Sequence, residues 1–192
     1  MARSFSEKEK GSIREKLVLE CEKSWSAFGY KKTNIDELCT RVGISKGAFY
    51  LFFDSKEALF CEVLDEIQGR LIVLVEGTIS NAPNKMDICK MLKQIYLEYD
   101  KTNILAQRNS PDFISFLNRA PEEWKKKSQV MNDGFIMNTI FSANLKLKMK
   151  KEKAIGVFNA LFAILTNKDT LGYNHFEVFC VLLDSVISEI YE

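Results

Sequence analysis

Lys46, Gly47, Tyr50 and Lys56, interleaved with aromatic residues in the stretch TNIDELCTRVGISKGAFYLFFDSK, are the residues of this chain best suited to meeting a phosphate backbone or a base edge. Lys46 offers a cation that can donate to guanine O6 and N7. Thr33 and Tyr50 carry hydroxyls that can bind phosphate oxygens, which fixes register without reading sequence. Lys56 stands at an expected helix start, where a cation is electrostatically misplaced; a bound phosphate would relieve this. Other chemistry finds little support. His175 is the only histidine, which removes His-rich metal centres and weakens triad schemes. No HExxH, P-loop, GxSxG or dinucleotide glycine pattern occurs, so neither an enzyme nor a cofactor or metal is expected. The 5 cysteines are widely spaced without a CxxC pair and read as reduced core residues.

Two short helices and a turn must position these groups. Asn34 can cap the first by accepting from the N–H three residues on, with Glu37 reaching back to the Asn34 N–H. Ile35, Leu38, Cys39 and Val42 form one apolar stripe, and Gly43 stops the helix. Ser45 then caps a second helix, Lys46 to Phe53, with Phe49 and Phe53 buried and Lys46, Gly47, Tyr50 and Phe52 on the other side. Such a helix, held at a steep angle by a Gly-containing turn, suits a DNA major groove. A two-helix corner in an ordinary all-α core would show much the same pattern. Upstream, a helix from about Ser12 to Phe28 directs Leu17, Cys21, Trp25 and Phe28 onto the pair, and Gly29 ends it. Residues before Ser12 read as a charged lead-in. Asp54 and Glu57 read as the capping pair of the next helix.

These residues also resemble a known family. From Leu17 to Leu59 the chain is similar to the N-terminal domain of TetR-type transcriptional regulators. The resemblance rests on Leu17, Cys21, Trp25, Phe28-Gly29-Tyr30, Thr33, Ile35, Leu38, Gly43-Ile44-Ser45-Lys46-Gly47, Phe49-Tyr50, Phe53 and Ser55-Lys56-Glu57-Ala58-Leu59. It covers about the first third of the chain. Ala48 stands where Thr is frequent and Phe52 where His or Tyr is frequent, so the operator sequence does not carry over. The resemblance implies DNA contact through Thr33, Ser45, Lys46, Gly47, Ala48, Tyr50, Phe52 and Lys56.

The remaining chain reads as helix throughout. The composition is 46% apolar with 3 Pro and 9 Gly in 192 residues. Expected helices run from about Phe60 to Gly77, Met86 to Leu105, Ser110 to Leu117, Glu122 to Leu147, Lys151 to Asn167 and Asn174 to Glu192. The length suffices for one small domain plus a larger one or for a single large bundle, and the resemblance implies an all-α fold of about nine helices, with a helix-turn-helix domain at 1–54 and a regulatory and dimerisation domain at 55–192. Residues 1–56 hold 11 basic and 8 acidic residues, a net of +3, and the rest holds 16 and 18, a net of −2. This asymmetry points toward DNA contact through the N-terminal part. No stretch is apolar enough to span a membrane and no secretory core is present, so a cytoplasmic protein is expected.

The last two helices carry apolar residues on two sides, which calls for two partners: the chain's own core and something outside. The resemblance implies a homodimer through a four-helix bundle of those helices, here involving Phe158, Phe162, Phe179, Leu182 and Val186. It also implies a small-molecule effector, with Tyr96, Phe113, Phe116, Met131 and Phe135 on helices of the family's ligand region. The function expected is a repressor that binds a palindromic operator as a dimer and is released by a largely apolar ligand. The rival is a helical adaptor that binds protein and not DNA, for which Lys46, Tyr50 and Lys56 would be coincidental.

Overall fold

Ser6 starts the first helix well ahead of Ser12. Its side chain accepts from the Glu9 N–H and Glu9 returns the bond to the Ser6 backbone, so the charged lead-in is capped helix. The structure is a computed structural model describing residues 5–78, 83–104, 107–128, 140–141 and 145–192. The elements are α1 (Glu7–Lys32), α2 (Ile35–Val42), α3 (Lys46–Phe49), α4 (Lys56–Thr78), α5 (Lys85–Thr102), α6 (Pro111–Leu117), α7 (Lys151–Phe162), a 3-10 helix (Ala163–Thr170) and α8 (His175–Ile190). Residues 122–128 are also helical. Among the described residues the single extended pairing joins Leu147 to Tyr191. The fold is all-α.

The chain packs as two units, Met1–Ile67 with Asn109–Lys126, and Gln68–Arg108 with Lys127–Glu192. The first therefore takes in the start of α4 and the whole of α6. Its centre is aromatic. Trp25 lies 4.5 Å from Phe60, 5.7 Å from Phe113 and 5.2 Å from Phe116 between ring centres. Tyr30 meets Phe60 edge-on at 5.0 Å, and Phe116 also meets Trp124 edge-on at 5.9 Å. Each such ring, fully buried, contributes about 1.5–3 kcal/mol from area alone, and well-oriented pairs add to that.

Phe28 does not join this cluster; it is 59% exposed. Gly29 breaks α1 with φ 83° and ψ 172°, a region open essentially to glycine alone. The redirected chain brings Tyr30 to Phe60 and Phe116 in its place.

In the second unit α5 supplies Ile88, Met91, Leu92, Ile95 and Tyr96 to a core completed by Phe158, Leu161, Phe179, Leu183 and Ile187. Tyr96 stacks on Phe179 at 4.0 Å. The helix expected over 151–167 tightens to 3-10 geometry after Phe162. The one expected to reach Leu147 does not, since residues 145–150 are non-helical. Among the described residues no helix is long and apolar enough to cross a membrane.

Candidate nucleic-acid interface

α2 is capped by Asn34, which accepts from the Asp36 N–H at 2.8 Å, two residues on and not three. Gly43 ends it in the left-handed conformation at φ 80°, donating its N–H to Cys39 and Thr40 carbonyls. Ser45 caps α3 through the Ala48 N–H at 3.1 Å. Buried Leu38, Cys39, Phe49 and Phe53 hold the pair to the first unit.

α3 is one turn long, shorter than the expected 46–53. Beyond Phe49 three-residue bonds appear, Leu51 donating to Ala48 O at 3.0 Å and Phe52 to Phe49 O at 2.9 Å, while Phe53 keeps a four-residue bond to Phe49 O at 3.1 Å. Residues three apart eclipse in this tighter geometry. Phe52 is only 9% exposed, with Phe5 5.9 Å away between ring centres. The outward placement expected for Phe52 is corrected. Tyr50 (55% exposed) and Leu51 (68% exposed) face outward. Leu51 is a surface residue that sequence periodicity missed. Its signal was an apolar side chain with no place on the Phe49–Phe53 stripe.

Ser45, Lys46 and Gly47 are exposed and Ala48 half-exposed, so these four share a surface with Tyr50 and Leu51. Lys46 Nζ pairs with Asp36 at 2.9 Å, and that hydrogen bond raises its pKa, keeping the ammonium charged. Both partners are solvated, and an exposed pair of this kind is weak enough to exchange for a phosphate or base.

Thr33 and Lys56 are engaged within the protein. Thr33 is buried and its hydroxyl donates to Gly29 O at 2.8 Å. Lys56 Nζ donates to Tyr30 O at 2.6 Å and lies 4.4 Å from the Tyr30 ring centre and 5.3 Å from that of Phe60. Burial lowers its pKa. A carbonyl and two ring faces thus relieve the misplaced cation, the role expected of a phosphate. The cap of α4 is Ser55, accepting from the Ala58 N–H at 3.0 Å, while Glu57 accepts from the Tyr30 hydroxyl in place of pairing with Asp54. Exposed Lys31 and Lys32 flank this loop.

Arg14 is a further residue missed from sequence. From α1 it donates to Phe52 O at 2.5 Å and to both Glu62 carboxylate oxygens, one at 2.8 Å, and its guanidinium lies 4.3 Å from the Phe53 ring centre. It ties the end of the α3 turn to α1 and α4.

The expected pocket and interface residues separate. Phe113 and Phe116 are core residues of the first unit, Tyr96 of the second, and Met131 and Phe135 lie outside the described residues. Phe158 and Phe179 are fully buried in the second unit's own core, which corrects their placement at an interface. Phe162 is half-buried between Tyr99 and Phe179. Leu182 is exposed and Val186 half-buried on α8. Burial pushes the Cys21, Cys39 and Cys61 thiols up, as suits inert core residues.

Residues 22–63 match the family described as bacterial regulatory proteins, tetR family. Over 98 residues the chain is 45% identical to YhgD of Bacillus subtilis, an uncharacterized HTH-type transcriptional regulator, covering 48% of this chain and 49% of that one. YdgC of the same organism is 31% identical over 78 residues, 40% of each chain. The chain thus spans half or less of the length of the curated relatives it matches. Among solved structures, the transcriptional regulator FadR of Bacillus subtilis, in complex with stearoyl-CoA, superposes with a TM-score of 0.69 at 16% identity, covering 92% of this chain and 98% of that one. The TetR-family regulator PfmR of Thermus thermophilus gives 0.67 at 16% identity over 90% and 97%. At these identities the two structures speak to the fold. The relatives and neighbours named are regulators, not enzymes. The segment 22–63, which carries the helix-turn-helix, is thus similar to the tetR family of bacterial regulatory proteins, and the chain as a whole shares the all-α fold of the solved regulators named.

Proposed function

We propose that this protein is a DNA-binding transcriptional repressor that binds a near-palindromic operator as a twofold dimer and is released by a small, largely apolar molecule. The observation that carries the reading is the exposed run Ser45–Leu51, which presents a cation, a backbone clear of side chain at Gly47, a phenol and an apolar tip on a rigidly anchored turn. Lys46 serves a base edge, Tyr50 and the loop lysines Lys31 and Lys32 serve phosphates, and Leu51 serves a thymine methyl group.

Support for the dimer comes from α8. Val181 (68% exposed) and Leu182 (45% exposed) lie outward, with Val178 and Val186 half-buried beside them at helical spacing. A twofold dimer on a near-palindromic site needs its two reading turns about 34–36 Å apart, one turn of DNA. Support for an apolar effector comes from the aromatic interior of the second unit, where Phe162 and Phe176 lie 6.3 and 5.7 Å from Tyr96 between ring centres. The presence among fold neighbours of a regulator holding stearoyl-CoA agrees with it. Because α4 runs from one unit into the other, a ligand that favours one placement of α4 shifts the population away from the DNA-competent form.

The test is selection of bound duplexes from random oligonucleotides with purified protein; recovery of a twofold-symmetric site is the expected result, and no enrichment would reject the reading. On that site Lys46→Ala is expected to weaken binding by about 1–3 kcal/mol and to relax specificity at the base pair it contacts. Replacing the relevant thymines by deoxyuridine is expected to weaken the wild type several-fold and to leave Leu51→Ala unaffected. Equal sensitivity of the two proteins to loss of the methyl group would remove Leu51 from the reading surface.

A further inference from the structure

Asp112 is not used to cap its own helix. Ser110 does that, accepting from the Phe113 N–H at 3.1 Å, with Pro111 in the first helical position. The Asp112 carboxylate instead reaches the turn at the end of α1: Oδ2 accepts from the Tyr30 N–H and Oδ1 from the Lys31 N–H at 3.1 Å. These amides follow the break at Gly29 and behave as the orphan donors of a new turn. Gly29 is required here twice over. Its φ of +83° excludes side chains, and a Cβ on it would lie 2.5 Å from Asp112 Oδ2 and 3.3 Å from Cγ. The same loop is tied below by Lys56 on Tyr30 O and closed by Thr33 on Gly29 O. It carries Lys31 and Lys32 and leads directly into α2.

We propose that Asp112 is a positioning residue for DNA binding: its carboxylate on the Tyr30 and Lys31 amides sets the loop from which α2 and α3 depart. The inference rests on the DNA-binding reading. α6 belongs to the first unit, yet the chain on either side of 109–126 belongs to the second.

The experiment compares wild type, Asp112→Ala, Asp112→Asn, Gly29→Ala and the Gly29→Ala/Asp112→Ala double variant. Binding is measured to the duplex selected by the wild type and to a random-sequence duplex, alongside thermal melting and amide exchange at Tyr30 and Lys31. Asp112→Ala is expected to bind the selected duplex at least about tenfold more weakly, since charge-assisted bonds are lost. Its affinity for random duplex should stay within about twofold, because phosphate contacts dominate there. Tyr30 and Lys31 amides should exchange faster. Asp112→Asn keeps an acceptor oxygen and should recover most of the discrimination. Gly29→Ala should cost less when Asp112 is already alanine, since the close approach is gone. Unchanged discrimination by Asp112→Ala, despite faster exchange, overturns the proposal. Parallel loss of both affinities with a collapsed melting transition also overturns it, leaving a structural role only. A wild type that does not discriminate between duplexes defeats the DNA-binding reading itself, and this inference with it.

Discussion

Leu182→Glu combined with Val181→Glu is expected to turn the protein into a folded monomer and to weaken operator binding by roughly 10²-fold or more, the advantage that linking two reading heads confers. Both side chains are exposed on α8, whereas Phe179, Leu183 and Ile187 of the same helix are the buried positions. Surface changes of this type usually alter stability by no more than about 0.5 kcal/mol. The carboxylates would have to be desolvated against their twofold mates, and like charges at a self-complementary surface repel. Sedimentation velocity and melting measured on the same sample separate the outcomes. A monomer with native helicity and melting is expected; an unchanged dimer would place the interface on another surface. Binding to a single half-site should persist at the reduced level, because the reading turn itself is untouched.

Phe116→Ala is expected to cost about 3–5 kcal/mol, the range for a large ring removed from a packed core. Phe116 is fully buried and meets Trp25, Tyr30, Phe60, Phe113 and Trp124, so the cavity left has stiff aromatic walls on several sides. Such walls collapse poorly, which keeps the cost at the upper end. The midpoint of thermal unfolding should fall by roughly 6–20 °C for a chain of this size. The loss should be felt at the reading turn as well, since α6 carries both Phe116 and Asp112. Phe116→Leu should recover part of the stability. A midpoint within experimental error of the wild type for Phe116→Ala would show that this cluster does not hold the first unit together.

The helix-turn-helix was legible in the sequence because its determinants are local. Asn34 and Ser45 are short acceptors at helix starts, Gly43 tolerates the left-handed cap, and Ile35, Leu38, Cys39 and Val42 repeat at the helical period. Each of these acts within a few residues of itself, and a match of residue types at fixed spacing is enough to find them. The turn from Phe49 to Phe53 was not legible, because the change from α to 3-10 spacing depends on what Phe52 can bury against. Arg14 and Phe5 come from more than thirty residues upstream. Lys56 was placed on a phosphate for an electrostatic reason that is sound, yet a carbonyl brought in by the Gly29 break meets the same need.

Two-sided apolar helices set the other limit. The spacing in α7 and α8 established that two faces need covering and left open which face turns inward; packing against Tyr96 and its neighbours decided it, taking Phe158 and Phe179 into the core. The chain's residues thus determined by themselves that the protein is helical and that two short helices joined by a turn at Gly43 lie between Ile35 and Phe53. Only the tertiary structure decided that Phe52 is covered and Leu51 bare, and that α6 joins the first unit, with Asp112 on the Tyr30 and Lys31 amides. Caps and periodicity are written in neighbouring residues, whereas partners eighty residues away are chosen by packing that no short stretch contains.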